Sequence, residues 1–352
     1  MKKNLHIWLV GILSLSFFTT TAQGTYYEDA YEESGEDLRD ALYDIISVHS
    51  HLSYSSSSTD TWDVLKASDA DPNNSSNVIL IYSGASVNGP QEYNNGNGWT
   101  REHVWPQSLG GFNTSPGAGT DVHNLKPSNG GLNSLRSNLE YDSLGTSGSA
   151  VNFQGQPTGC RYSNSAGVFE PRDEVKGDLA RIILYMDLRY DGSGSEPNLV
   201  AREALNTGGT TFAVLSQLIK WHWADPVDSF EMNRNNVIHA MQGNRNPFID
   251  HPELVHYLHG DSTAYEWNPL ASNIGLEERD WTASDVQIFP QPATQELHVL
   301  LPGESELILY NLEGQAVLQA HATERTTLQV GQLPTGFYTL RVGSVLKRLI
   351  IQ

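Results

Sequence analysis

The chain is poor in cysteine. One residue, Cys160, stands among 352, so no disulfide forms within the chain and no cysteine-rich zinc module is built. Basic residues are also scarce. Lys and Arg number 21 against 41 Asp and Glu, a formal charge of −20. A negative field of that size repels phosphate and argues against non-specific coating of nucleic acid. It leaves room for a small basic or metal-loaded site on an acidic body. Long apolar runs are missing beyond residue 18, so the mature chain offers no membrane span. At 38% hydrophobic and 18% charged, the chain is too apolar to be disordered. At about 150 residues per domain, it should hold two or three domains.

The N-terminus reads as an address. Lys2 and Lys3 precede the apolar run Ile7–Phe18, and small residues at Thr19–Ala22 offer a cleavage point. This is a secretory signal over residues 1–22. Its removal takes away two lysines and no acid, which moves the charge to −22 (−20 − 2). An exported chain without disulfides depends on its core, on bound ions, or on both.

Residues 24–65 carry acids with Leu38, Leu42, Ile45 and Ile46 at helical spacing, which predicts a solvated helix over a core stripe. Asn77–Ser83 predicts a buried strand. Asp173–Tyr190, Ala201–Trp223 and Glu231–Met241 predict helices. After a linker over 273–285, residues 286–352 alternate short apolar runs with turn signals such as Pro302-Gly303. That pattern predicts a small antiparallel β-sandwich. The whole reads as α+β, with a catalytic domain over 23–272.

Reactive side chains concentrate in residues 99–141. Trp99–Ser108 (WTREHVWPQS) and Asp121–Ser128 (DVHNLKPS) read as short strands or strand ends. Gly130–Asn138 (GGLNSLRSN) reads as the first turns of a helix, and Gly110–Thr120 is a loop. Such a unit places one imidazole, one carboxylate and one amide round a small cavity, which suits metal-assisted phosphodiester hydrolysis. A hard cation takes oxygen ligands and keeps several waters. Glu102 and Asn133 can supply those oxygens, and His103 can take a proton from water near pH 7. Neighbours on an ideal strand face opposite sides, so Glu102 and His103 share a site only where the chain bends, and Pro106 lies just beyond. His123 reads as a structural histidine, because Val122 and Leu125 flank it on a half-buried strand, with a role as second metal ligand as the alternative. Cys160 reads as an inert thiol, and Trp99, Trp105, Trp221 and Trp223 read mainly as core, with base stacking as the alternative.

The segments Arg101–Ser108 and Asp121–Pro127, with Asn133 and Arg136-Ser-Asn138, resemble the bacterial endonuclease I family. Phe169–Arg181 and Gln242–Phe248 match it too. The resemblance covers roughly residues 25–260. It implies a ββα-metal (His-Me finger) core with surrounding helices, and non-sequence-specific cleavage of DNA, often RNA too, leaving 5′-phosphate ends. It implies that Glu102 and Asn133 bind Mg²⁺, with Ca²⁺ or Mn²⁺ able to replace it, and that His103 is the general base. Family members often carry a phosphate-binding arginine in the loop between the two motifs, and Gly110–Thr120 has none. Transition-state charge needs a cation beyond the metal. Arg136 shares a helical face with Asn133 and is given that catalytic role. Arg101, Arg181 and Asn244 are placed on the substrate, Arg172 is a further candidate, and Gln242–Phe248 reads either as a turn and helix stop or as placing Asn244 or Arg245 near the site floor. Residues 286–352 resemble type IX secretion sorting domains, which implies that machinery as a partner and a secreted or surface-attached protein. A carbohydrate-binding β-module is the alternative there. For the catalytic domain, the rivals are a phosphodiesterase of small substrates and a non-catalytic surface protein on a nuclease-like frame.

Overall fold

A computed structural model describes residues 26–93, 96–205, 208–269, 286–311, 315–342 and 345–352. The signal over 1–22 and the linker over 273–285 lie outside the described residues. The chain divides into two compact units, residues 1–270 and 271–352, with helix and strand mixed in the first and strands in the second.

In the first unit the acidic stretch folds as expected. Helix Gly35–Ser47 buries Leu38, Leu42 and Ile46 on one stripe and turns its acids outward. Helix Lys176–Arg189 is the centrepiece, because every residue from Leu179 to Arg189 is buried. Each large apolar side chain so enclosed contributes about 1.5–3 kcal/mol. Helices Gly35–Ser47 and Leu215–Ala224 pack against it. Helix Thr61–Ser68 starts at a reciprocal cap: Asp60 accepts from the backbone of Trp62 and Asp63, and Asp63 accepts from the backbone of Asp60. That helix lies on helix Ser229–Gln242. Together they bury Trp62, Leu65 and Ile238 with Trp99, Val122 and Leu125, a small core beneath one antiparallel hairpin. The hairpin pairs Trp99–His103 with Leu125–Asn129, placing Glu102 opposite Lys126 and His103 opposite Leu125.

Two expectations need correction. Ala201–Trp223 is not one helix. Val200–Arg202 and Thr211–Val214 pair as short parallel strands, and the helix begins at Leu215. Gly208 and Gly209 both have positive φ, which interrupts helical backbone.

In the second unit the expected sandwich is a single sheet. Strand Glu296–Tyr310 pairs along one edge with Ala316–Gln329, and along the other with Gln287–Phe289 and then Gly336–Val342. Val345–Ile351 completes it. Ala293 pairs back onto Ile351, so the sheet curls round Leu297, Val299, Leu309, Leu340 and Leu349. Pro302-Gly303 makes no turn; the strand continues through it with a shift of register between Leu300 and Glu304, as a bulge allows. Among the described residues no helix is long and apolar enough to cross a membrane.

Candidate active site

The hairpin runs directly into helix Gly130–Arg136. Asn129 is both the last strand residue and the helix cap: its Oδ1 accepts from the backbone of Gly131 and Leu132 at 2.9 and 3.2 Å. From that helix Asn133 donates to the carbonyl of Arg101 at 3.4 Å. Arg136 donates to the carbonyls of His103, at 3.1 Å, and Val104. One helical face is thus stitched to the strand that carries the reactive pair.

An open cleft of about 720 Å³ lies where these elements meet, and Glu102, His103 and Asn133 all line it. His103 ends its strand and the chain leaves the sheet for Pro106, which is how adjacent residues come to face one cavity. Tyr54, Gln107, Ser108, Ser134 and Asn138 complete much of the wall.

The imidazole of His103 is held in one tautomer. Its Nε2 lies 2.8 Å from the carbonyl oxygen of Gly119. A carbonyl only accepts, so Nε2 carries the proton and Nδ1 keeps the lone pair. Burial pushes the ring down to about 4, with Arg101 and Arg136 acting in the same direction. The ring is therefore neutral at pH 7 and able to accept a proton, at some cost in basicity.

Glu102 is 1% exposed. Burial raises its carboxyl, and Arg136 and a hydrogen bond from Tyr82 oppose that rise. Its Oε1 accepts from the Tyr82 hydroxyl at 2.6 Å and lies 3.0 Å from the Arg136 guanidinium. Tyr141 hydrogen-bonds Tyr82 at 2.7 Å. These contacts engage Oε1, so Oε2 is the oxygen that could ligate a cation. With Asn133 Oδ1 it forms a small set of hard oxygen donors beside open solvent. Among the described residues, no group of three or more His, Cys, Asp or Glu is arranged to hold a metal. An ion here would keep most of its water, as Mg²⁺ prefers.

Arg101 and Arg136 also line the cleft, and they, the other arginines and Asn244 are bound to protein groups. Arg136 is 1% exposed, and its guanidinium lies 4.9 and 5.1 Å from the rings of Tyr141 and Phe212. Its amino groups hold the carbonyls of His103, Val104 and Ser137 and brace Glu102, while the residue also lines the cleft. Arg101 donates to Tyr54 O, Thr61 Oγ1 and Ser55 Oγ, so it pins the segment before helix Thr61–Ser68. Arg181 is fully buried against Glu231, His222 O and Asp225 O. Asn244 is buried, donating to Ile46 O and Tyr185. Arg172 donates to Ile81 O and pairs with Glu174, and Arg245 pairs with Asp250. Each of these groups is thus engaged by the protein itself, Arg101 and Arg136 at the wall of the cleft and with Nε unpartnered among the described residues.

His123 is structural as expected, buried with Nε2 3.3 Å from Asn244 O. Cys160 is buried, and burial raises its thiol. Trp99, Trp105 and Trp221 are core residues, whereas Trp223 is exposed and stacks on His256. Tyr82, Tyr141, Gly119 and Tyr54 were not legible as site residues. Tyr82 follows an apolar run that reads as core, and Gly119 acts through its backbone.

The hairpin and helix bring a single-tautomer imidazole, a buried carboxylate and an amide to one open cleft, and comparison with known proteins places the chain among the nucleases. The chain belongs to the Endonuclease I family, whose model matches residues 34–253. A secretion system C-terminal sorting domain matches residues 287–352. An extracellular ribonuclease of Bacillus amyloliquefaciens is 43% identical over 231 residues, 65% of this chain and 76% of that protein. That of Bacillus subtilis (strain 168) is 42% identical with the same coverage. An extracellular deoxyribonuclease of Aeromonas hydrophila is 31% identical over 131 residues, 37% of this chain and 49% of its own. The protein is a nuclease, secreted or held at the cell surface.

Proposed function

We propose that the protein hydrolyses the phosphodiester backbone of DNA and RNA without sequence preference, on a ββα-metal (His-Me finger) site. The observation that carries this reading is the bond from His103 Nε2–H to the Gly119 carbonyl, in a cleft shared with Glu102 and Asn133. It leaves Nδ1 with the lone pair that, on this reading, serves as the base. Glu102 and Asn133 are the residues that would hold Mg²⁺, or Ca²⁺ or Mn²⁺ in its place. A divalent ion there supplies Lewis-acid stabilisation of charge on the scissile phosphate and the leaving oxygen. His103 takes a proton from the attacking water. Arg136 holds the Glu102 carboxylate in its ionised, ligating form. RNA stands beside DNA because the ribonuclease relatives match 65% of the chain and the deoxyribonuclease 37%. The C-terminal unit directs export through the type IX machinery.

The test is digestion of plasmid DNA and of a structured RNA by the mature chain, with chelation and re-addition of Mg²⁺. Both substrates should be cut only with the ion present, and His103→Ala should lose about 10²–10⁴-fold. Undiminished cutting by His103→Ala at matched protein amounts refutes the mechanism. Cutting of RNA alone refutes the dual substrate range.

A further inference from the structure

We propose that Tyr54 is a positioning residue for the general base, its ring holding the plane of the His103 imidazole; this rests on His103 being that base. One hydrogen bond, to Gly119 O, fixes one corner of the ring. It leaves rotation about that bond free, and such rotation would swing Nδ1 away from its water. The Tyr54 ring removes that freedom. It lies nearly parallel to the imidazole, at 14° with centroids 5.7 Å apart, within the range of offset stacking. Phe112, on the loop that also supplies Gly119, meets the imidazole at 6.0 Å and 50°.

Tyr54 is itself fixed by Arg101. The guanidinium carbon sits 3.4 Å from the Tyr54 ring centroid and 4.0 Å from that of Trp62. Its nitrogens hold Tyr54 O, Thr61 Oγ1 and Ser55 Oγ. The arginine next to the reactive pair therefore acts through Tyr54. Tyr54 lines the cleft, so stacking on a nucleobase is the competing use of its ring. Engagement with Arg101 and His103 together favours positioning.

The contact with His103 is made by the ring; the hydroxyl's partner is the Arg101 guanidinium, which keeps its contacts to Tyr54 O and Thr61 Oγ1 without it. Base catalysis needs hydrogen-bond reach, and a misplacement of about 1 Å costs on the order of 10²-fold. The experiment follows cleavage of a fluorescence-quenched oligonucleotide by the full mature chain at saturating Mg²⁺. Tyr54→Phe should cut like the wild type. Tyr54→Ala should lose roughly ten- to hundred-fold in kcat with KM nearly unchanged. In a His103→Ala background, Tyr54→Ala should cost nothing more, because two residues acting as a unit are not additive. Tyr54→Leu, closer in volume, serves if the alanine variant does not fold, and should show the same loss. Wild-type kcat in the alanine or leucine variant overturns the proposal, as does a raised KM with kcat unchanged, which would mark a base platform. If His103→Ala is inactive and these variants are not impaired, positioning by Tyr54 fails alone. If His103→Ala is fully active, the reading of the base fails with it.

Discussion

A guanidinium shut away from water must find its partners inside the protein, and the two amino groups of Arg136 do so, although its Nε has no hydrogen-bond partner among the described residues and the side chain lines the cleft. It faces Glu102 at 3.0 Å and the carbonyls of His103 and Val104. Removing one member of such a pair strands the other's charge, which typically costs 3–5 kcal/mol. Arg136→Ala should therefore lower urea stability by about that much, and Arg136→Lys should recover only part, since an ammonium lacks the planar fork. Chemical denaturation of the three proteins checks this. Unchanged stability in Arg136→Ala, with KM for DNA raised, would return the residue to a phosphate-binding role. An arginine in a sequence reads as an exposed cation, so Arg101, Arg136 and Arg181 read as substrate contacts. Only the packing shows that each is bound to protein oxygens, Arg101 and Arg136 at the cleft wall and Arg181 away from it.

The hairpin and its helix form the smallest unit that holds the site, and much of it was visible in the residues. Trp99–Ser108 was expected as a strand or strand end and Gly130–Asn138 as the first turns of a helix; the strand runs Trp99–His103 and the helix Gly130–Arg136. The Asn129-Gly-Gly entry follows ordinary capping chemistry. Less visible was the turn before the second strand. Asp121 caps a short 3₁₀ turn over Val122–Asn124, and strand begins only at Leu125. Behind that turn Asp121 accepts from Tyr185 at 2.8 Å, Tyr190 at 2.9 Å and Gln242 at 2.8 Å. Those partners lie far along the chain, so local pattern could not show them. The network anchors the end of the loop whose Gly119 carbonyl holds His103. A Cβ on Gly119 would sit 1.5 Å from Asn113 O, so Gly119→Ala must move the loop. It should lower kcat on DNA by roughly ten- to hundred-fold with a folded circular-dichroism spectrum. Wild-type turnover in that variant would show that the carbonyl is not needed to orient the base.

At the scale of the whole molecule, stability without disulfides falls to the core and to buried polar groups, and several of those are histidines kept neutral. His222 is 1% exposed, with Nε2 3.0 Å from Pro252 O. Burial, then the nearby Arg181 charge, lowers it from 6.5 to about 4. In the unfolded chain the same ring takes a proton as pH falls through 6.5; folded, it refuses one until about 4. The folded state therefore binds fewer protons across that window. This contribution to stability is complete above pH 6.5 and is lost as pH falls toward 4, at a slope of up to about 1.4 kcal/mol per pH unit. His103 and His123, also lowered to about 4, act the same way. The raised carboxyls of Glu102 and Glu231 act oppositely, so the total slope is a difference of terms. A single substitution isolates one of them. His222→Gln keeps a donor for Pro252 O and removes the titration. Its stability relative to wild type should be constant above pH 7 and should improve steadily as pH falls from 6.5 to 4. Urea midpoints across that range measure it, and parallel curves for the two proteins would show that His222 is not held neutral by the fold.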